Sequence, residues 1–414
     1  MVGTGLTARP DRGAGSVARA RRPVLMIVHS YYDEDPRVRR EAEAVVASGR
    51  PVLVLGLRRP GEDGDGELAG VRVKRLDFQR HQGAGLWTYL AEYGEFLFRA
   101  GWVAARAHRR ERFALVQVAS LPDYLVFAAL PLRLVGVPVV LDLHEAMPEF
   151  FRSRFPKASN PIVHQLLLIQ ERLSIALSTA TLVVNRAMRD RLLSLGVPAE
   201  KISVVINSPS LKRFDPTAHP MRRFCEDGAL RLVYAGGVTP TYELDVAIRA
   251  VDAIARTRPD LDIRFDIYGR GDSEPGLRAL ATELGLADRV VLHGRIPIDD
   301  VPAAVAGADI GLAPTRRDEF TDLSLSTKVY EYAAMAKPVV ASRLPLVEQT
   351  FPDGSVATYE PGDPGSMAAA IIELTDDALA REAAVARTAS IVESAAWERE
   401  SRGYLALVER LITG

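Results

Sequence analysis

Short, unbroken apolar runs recur along the chain. Each leads through a glycine- or proline-marked turn into a stretch with apolar positions three and four apart. Continuous apolar runs of strand length fit strands buried on both faces, and the following periodicity fits helices packed over them. Residues 24–28, 52–57, 115–118, 137–143 and 181–184 read as strands of a first unit, which residues 204–206 close. Residues 37–48 read as a helix with Asp35 as N-cap, Pro36 at its first position and Gly49 just past its end. Residues 86–112 read as a long aromatic-rich helix ending in a basic cluster. The second unit has strands at 230–234, 263–268, 290–292, 310–313 and 338–340. Its helices fall at 245–256, 277–284, 300–306, 328–335, 367–373 and 377–389, and a last helix spans about 394–411.

Alternating strands and helices predict parallel sheets with right-handed crossovers. The fold class is therefore α/β, with two Rossmann-like, doubly wound domains facing across a cleft. The boundaries read as a flexible tail over residues 1–22, a first domain at 23–212, a linker at 213–229 and a second domain at 230–390. Residues 391–414 form a helix crossing back to the first domain. Ligands of such sheets bind at the carboxyl ends of strands, so the cleft is the expected site.

Composition narrows the picture. With 52 Lys and Arg against 53 Asp and Glu, there is no basic excess to neutralise nucleic-acid phosphates. One cysteine, Cys225, makes no internal disulfide and fits a reducing cytosol. The seven histidines form no tight ligand cluster, so no metal is expected. No apolar run reaches the length of a membrane span. The arginine-rich tail and the aromatic helix leave two readings open: solvated basic segments, or contact with a membrane surface or acceptor.

Four places can carry chemistry. Tyr234-Ala-Gly236-Gly237 runs from a strand into glycines and then a helix, which lets a phosphate approach backbone N–H groups. Tyr268-Gly269-Arg270-Gly271 is a second glycine turn after a strand. Neither completes a dinucleotide fingerprint, and the P-loop pattern is absent. Ser326-Thr327-Lys328 opens a helix with hydroxyls and a cation, and a cation in a first turn is unfavourable unless an anion answers it. Glu331 shares a helix face with Lys328, and the bland reading is a surface ion pair. The functional reading gives Lys328 a phosphate and Glu331 a vicinal diol. His144, at the end of residues 137–143, is expected to point into the cleft.

Together these residues resemble retaining glycosyltransferase family 4, of GT-B fold and bacterial surface-polysaccharide type. The likeness runs through Phe265-Asp-Ile-Tyr-Gly-Arg-Gly-Asp272, residues 284–297, Ala308-Asp-Ile-Gly-Leu-Ala-Pro314 and residues 331–342. Asp35-Pro-Arg-Val-Arg-Arg-Glu41 looks like the opening of a surface-polysaccharide subgroup, and Trp397 and Tyr404 sit where the last helix returns. The resemblance implies a nucleoside-diphosphate-sugar co-substrate held by Gly236, Gly237, Gly269, Arg270, Ile296, Ser326, Thr327, Lys328 and Glu331. It gives His144, Lys328 and Glu331 catalytic roles, without a metal. It also implies a carbohydrate, lipid-linked or small-molecule acceptor on the first domain. The setting would be cytoplasmic polysaccharide or glycoconjugate biosynthesis, with contact at the inner membrane face allowed. Two positions depart from the pattern. Gly237 and Tyr242 stand where the family often has Arg and Lys, and Leu323 stands where it has a first glutamate. Arg270, Arg295 and Arg316 are reserve cations, and Asp322 or Glu319 the reserve acids. An inactive scaffold or a nucleotide-sugar epimerase on this fold remain the rival readings.

Overall fold

The computed structural model describes residues 21–78, 86–352 and 354–414. Most of the expected tail lies outside them, but Arg22 is tied down, donating to the carbonyls of Arg112 and Phe113 at 2.7 Å each.

The first domain's strands are β1 (Val24–Ile27), β2 (Val52–Leu57), β3 (Asp65–Leu68), β4 (Val71–Leu76), β5 (Leu115–Ala119), β6 (Val139–Leu143), β7 (Ala180–Val183) and β8 (Ile202–Val204). Among the described residues they form one sheet in the order β3-β4-β2-β1-β5-β6-β7-β8. Every neighbour is parallel except β3–β4, a hairpin at the edge. Its helices are α1 (Pro36–Ala47), α2 (Leu86–Glu111), α3 (Leu130–Leu134), α4 (Met147–Arg154), α5 (Pro161–Leu177) and α6 (Arg186–Ser194). The start of α1 is as the sequence predicts: Asp35 accepts from the Val38 N–H at 3.1 Å, and Pro36 takes the first position.

The second domain holds β9 (Ala229–Ala235), β10 (Asp262–Tyr268), β11 (Val290–Gly294), β12 (Ile310–Ala313), β13 (Val339–Ser342) and β14 (Ala357–Tyr359). They form a parallel sheet in the order β11-β10-β9-β12-β13-β14. Its helices are α7 (Leu244–Thr257), α8 (Glu274–Glu283), α9 (Val301–Ala306), α10 (Thr327–Ala334), α11 (Pro345–Thr350), α12 (Pro364–Asp376) and α13 (Ala378–Ala395). Strand order reverses beside β9, between β10 and β12, which is where this topology opens a crevice.

The last helix, α14 (Trp397–Thr413), leaves the second domain and packs on the first. Trp397, Tyr404, Leu407 and Val408 join Val38, Val45, Val54 and Leu115 in one buried cluster beneath α1. On the opposite face of the sheet, α2, α3 and α5 close over another core that includes Phe96, Ala100, Leu132 and Ile175.

A buried charge cluster fastens α14, α1 and the sheet together. Arg37, 2% exposed, grips Asp142, 0% exposed, with Nη2 to Oδ1 at 2.6 Å, and also donates to the Val205 carbonyl. Gln117 donates to Glu41 at 2.6 Å and accepts from the Tyr404 hydroxyl at 2.7 Å. Burial, then the neighbouring Asp142 charge, pushes the Glu41 carboxyl up to about 7. Burial acts against charge on Asp142 too, but Arg37 and His144 outweigh it and hold its carboxyl far below the ordinary range.

Asp123, at the carboxyl end of β5, is 0% exposed, and neither carboxylate oxygen has a hydrogen-bond partner among the described residues. Burial raises its pKa well above normal, so the folded state holds the proton. That state loses stability as pH rises from the ordinary Asp value toward the raised one. Asp123→Asn is expected to raise stability by about 1–3 kcal/mol near neutral pH, measured by urea unfolding. A destabilised variant contradicts this reading.

Candidate active site

A cleft of about 1110 Å³ lies between α1 and the carboxyl edge of the second sheet, with the linker and the start of α14 along its wall. The ends of β9 and β10 and the first turn of α10 meet there, which follows from their places beside the strand-order reversal.

Two glycine turns bring the strand ends together. Gly236 and Gly269 have φ of +155° and +150°, a conformation that side-chain-bearing residues rarely adopt. A Cβ on Gly269 would overlap the Gly236 carbonyl, and one on Gly236 would overlap the Lys328 side chain. Gly269 is thus required by close approach to backbone as well as by its backbone angle, whereas Gly236 is required chiefly by its angle. Gly269→Ala must push the two turns apart, and we expect a loss of about 3 kcal/mol of stability, read by thermal melting. A variant as stable as the wild type would show that the turns have room.

Lys328 lies across this junction. It is only 6% exposed, and no carboxylate comes within ion-pair distance of its ammonium among the described residues. Nζ instead lies 3.9 Å from the Tyr242 ring centroid and 5.1 Å from that of Tyr234. Aromatic faces favour a cation without pairing it with an opposite charge, which leaves room for an anion in the cleft beside this side chain. Glu331 follows one turn on, lining the same cleft. Burial raises its carboxyl pKa, with Lys328, Arg40 and Arg213 pulling the other way.

Two family models match the chain: glycosyl transferases group 1 over residues 229–377, and a glycosyl transferase 4-like domain over residues 34–208. The chain is a glycosyltransferase, each half matching a glycosyltransferase domain. The alpha-D-kanosaminyltransferase of Streptomyces kanamyceticus is 26% identical over 369 residues, covering 83% of this transferase and 91% of that protein. A GDP-mannose-dependent alpha-(1-6)-phosphatidylinositol monomannoside mannosyltransferase of Mycolicibacterium smegmatis is 30% identical over 201 residues, covering 47% of this chain and 52% of its own. Sucrose-phosphate synthase from Thermosynechococcus elongatus superposes with a TM-score of 0.74 at 17% identity, over 94% of this chain and 99% of that one. Anabaena Alr3699/HepE in complex with UDP-glucose gives 0.69 at 14% identity, over 94% and 99%. These structural likenesses establish the two-domain GT-B fold.

The transferase gathers most of the residues expected from sequence. Gly236, Gly237, Gly269, Arg270, Ile296, Thr327, Lys328 and Glu331 all line the cleft. Ser326 does not; its hydroxyl is buried beside the α10 start without a hydrogen-bond partner among the described residues. His144 is not among the lining residues either. Its Nε2 lies 3.0 Å from Asp142 Oδ2, and its ring completes the charge cluster under α1. Burial lowers the imidazole pKa, but the Asp142 carboxylate outweighs it and the net shift is upward.

The reserve residues also sort themselves. Arg295 lines the cleft but is paired with Glu34 of the first domain. Arg316 is exposed and off the lining. Glu319 pairs with Arg152 across the domain boundary, and Asp322 with Arg317 at 3.3 Å, so neither replaces the missing first glutamate in the cleft. Tyr242, standing where the family often has a cation, presents its ring to Lys328.

Arg40 was missed. It is 7% exposed, lines the cleft from α1, lies 5.0 Å over the Trp397 ring and bonds Asn207 and the Ser208 carbonyl. Burial, then Arg37, lowers its pKa to about 10. The signal was present in Arg37, Arg40 and Glu41, which share one helix face at three- and four-residue spacing. Among the described residues, no group of three or more His, Cys, Asp or Glu is placed to hold a metal.

Proposed function

We propose that this transferase moves a sugar from a nucleoside-diphosphate sugar to an acceptor hydroxyl, retaining anomeric configuration and using no metal. The observation that carries the reading is Lys328: a buried ammonium held by aromatic faces, with no carboxylate within ion-pair distance among the described residues, beside a glycine turn at a φ that side-chain-bearing residues rarely adopt. A diphosphate supplies the missing anion. Its oxygens would meet the ammonium and the N–H group of Gly237, with Arg270 and Arg40 nearby on the lining, while the Gly236 N–H is already given to the Tyr268 carbonyl at 2.8 Å. Glu331 would accept hydrogen bonds from both ribose hydroxyls, and the backbone near Gly269 and Ile296 would meet the base.

The bond from the anomeric carbon to the diphosphate breaks as the acceptor oxygen attacks on the same face. The leaving phosphate oxygen takes the acceptor's proton. Fixed dipoles and the Lys328 charge stabilise the departing anion, and enclosure between two domains limits competing hydrolysis. The acceptor would enter from the first domain. A kanosaminyltransferase and a phosphatidylinositol mannoside mannosyltransferase among the relatives support glycoconjugate assembly as the setting.

Glu331→Ala tests the donor site. Two charge-assisted hydrogen bonds are worth about 3 kcal/mol together, so donor affinity is expected to fall about a hundredfold while the melting curve is unchanged. Calorimetric titration with UDP-, GDP- and dTDP-sugars measures it. Undiminished affinity would remove Glu331 from the ribose.

A further inference from the structure

We propose that the outer face of α2, α3 and α5 docks on an anionic lipid bilayer. These helices send their inner sides into one core, so their other sides face solvent on the same side of the sheet. That solvent side is apolar. On α5, Ile162, Leu166, Ile169 and Leu173 are 73%, 59%, 50% and 56% exposed. Their spacing of four, three and four residues puts them on one stripe. Phe98 and Trp102 on α2 are 77% and 66% exposed, and Leu134 on α3 is 78% exposed. Helix α2 lies close against the segment leading into α3: a Cβ on Gly101 would lie 3.2 Å from the Ala128 carbonyl. A soluble surface rarely gathers so many large apolar side chains on adjoining elements.

The charge around this face selects the occupant. Arg99, Arg106, Arg109, Arg110, Arg133 and Arg172 are exposed on the same three helices, where the exposed carboxylate is Glu95. Arg106 lies 5.7 Å over the Trp102 ring, an aromatic–cation pair suited to the headgroup boundary. Apolar side chains flanked by arginines match acyl chains beneath anionic headgroups. A second copy of the chain would instead set arginine against arginine. No helix among the described residues is long and apolar enough to cross a membrane, so the contact is peripheral.

The test is co-sedimentation of the full chain with vesicles of phosphatidylcholine alone, and of phosphatidylcholine mixed with phosphatidylglycerol. We expect partition onto the mixed vesicles at least about tenfold above that onto the neutral ones, weakened by added salt. Leu166→Glu with Leu173→Glu, and separately Arg106→Glu with Arg172→Glu, should each lower it about tenfold or more. All four sites are exposed, so both variants should melt like the wild type. Absent or charge-independent vesicle binding overturns the proposal. So does a concentration-dependent dimer in sedimentation velocity that Leu173→Glu abolishes while vesicle binding stays unaltered.

Discussion

Lys328→Met is expected to lower kcat about a hundred- to a thousandfold, the usual cost of removing one fixed stabiliser of a developing anion. Methionine keeps an unbranched apolar stem between the Gly236 turn and the rings of Tyr242 and Tyr234, so packing should survive. What disappears is the charge. Because that charge answers an anion that grows as the glycosidic bond breaks, the loss should fall mainly on kcat. Glu331→Ala should instead fall mainly on donor affinity, since ribose is bound equally before and during transfer. Steady-state rates, with an acceptor found by screening for donor consumption, separate the two. A Lys328→Met enzyme with normal kcat would assign the diphosphate to other cations, with Arg40 and Arg270 next on the lining.

Asp142→Ala should have the largest effect on stability of a change away from the cleft, about 3–5 kcal/mol. The cost comes from leaving the Arg37 guanidinium, 2% exposed, without its carboxylate. The Gln117 side chain and the His144 ring lose a shared acceptor at the same time. Tyr404→Phe, which removes only the outermost link to Gln117, should cost about 1 kcal/mol. Urea unfolding of the two variants measures the difference. The pH dependence has two opposite parts. The Asp142 carboxyl is depressed, so its contribution is complete above the ordinary Asp value and fades as pH falls below it. The Glu41 carboxyl is raised to about 7, so its contribution is complete below the ordinary Glu value and fades as pH climbs toward 7. Asp142→Ala with near wild-type stability would show that Arg37 finds another partner.

The alternation of strand and helix was legible because strands buried on both faces are apolar along their length, as β1 and β2 are. The β3–β4 hairpin was not, because β3 lies at an exposed edge and its Asp65-Gly-Glu-Leu68 carries turn-like residues. Helix α5 escaped for a different reason: apolar side chains point to solvent as well as to the core, which blurs the one-sided period of an ordinary surface helix. The closing strand of the first domain was placed two residues late, at 204–206, where the chain is already leaving the sheet. At the cleft, the glycine turns and the α10 start could be read locally, since strand, turn and helix are consecutive there. His144 could not. Its ring is drawn to Asp142, and that carboxylate is fixed by Arg37 from a helix more than a hundred residues earlier in the chain. The aromatic seat of Lys328 was equally invisible, because Tyr234 and Tyr242 reach it only through the folded sheet edge.

Isothermal titration of the intact chain with UDP, GDP and dTDP, each free and as its sugar conjugate, tests the donor cleft most directly. The account predicts saturable one-to-one binding of at least one nucleoside diphosphate without added metal, lost in Lys328→Met, Glu331→Ala double variants that still melt cooperatively. Heat flat across all these ligands, or binding that persists unaltered in the double variant, would contradict it.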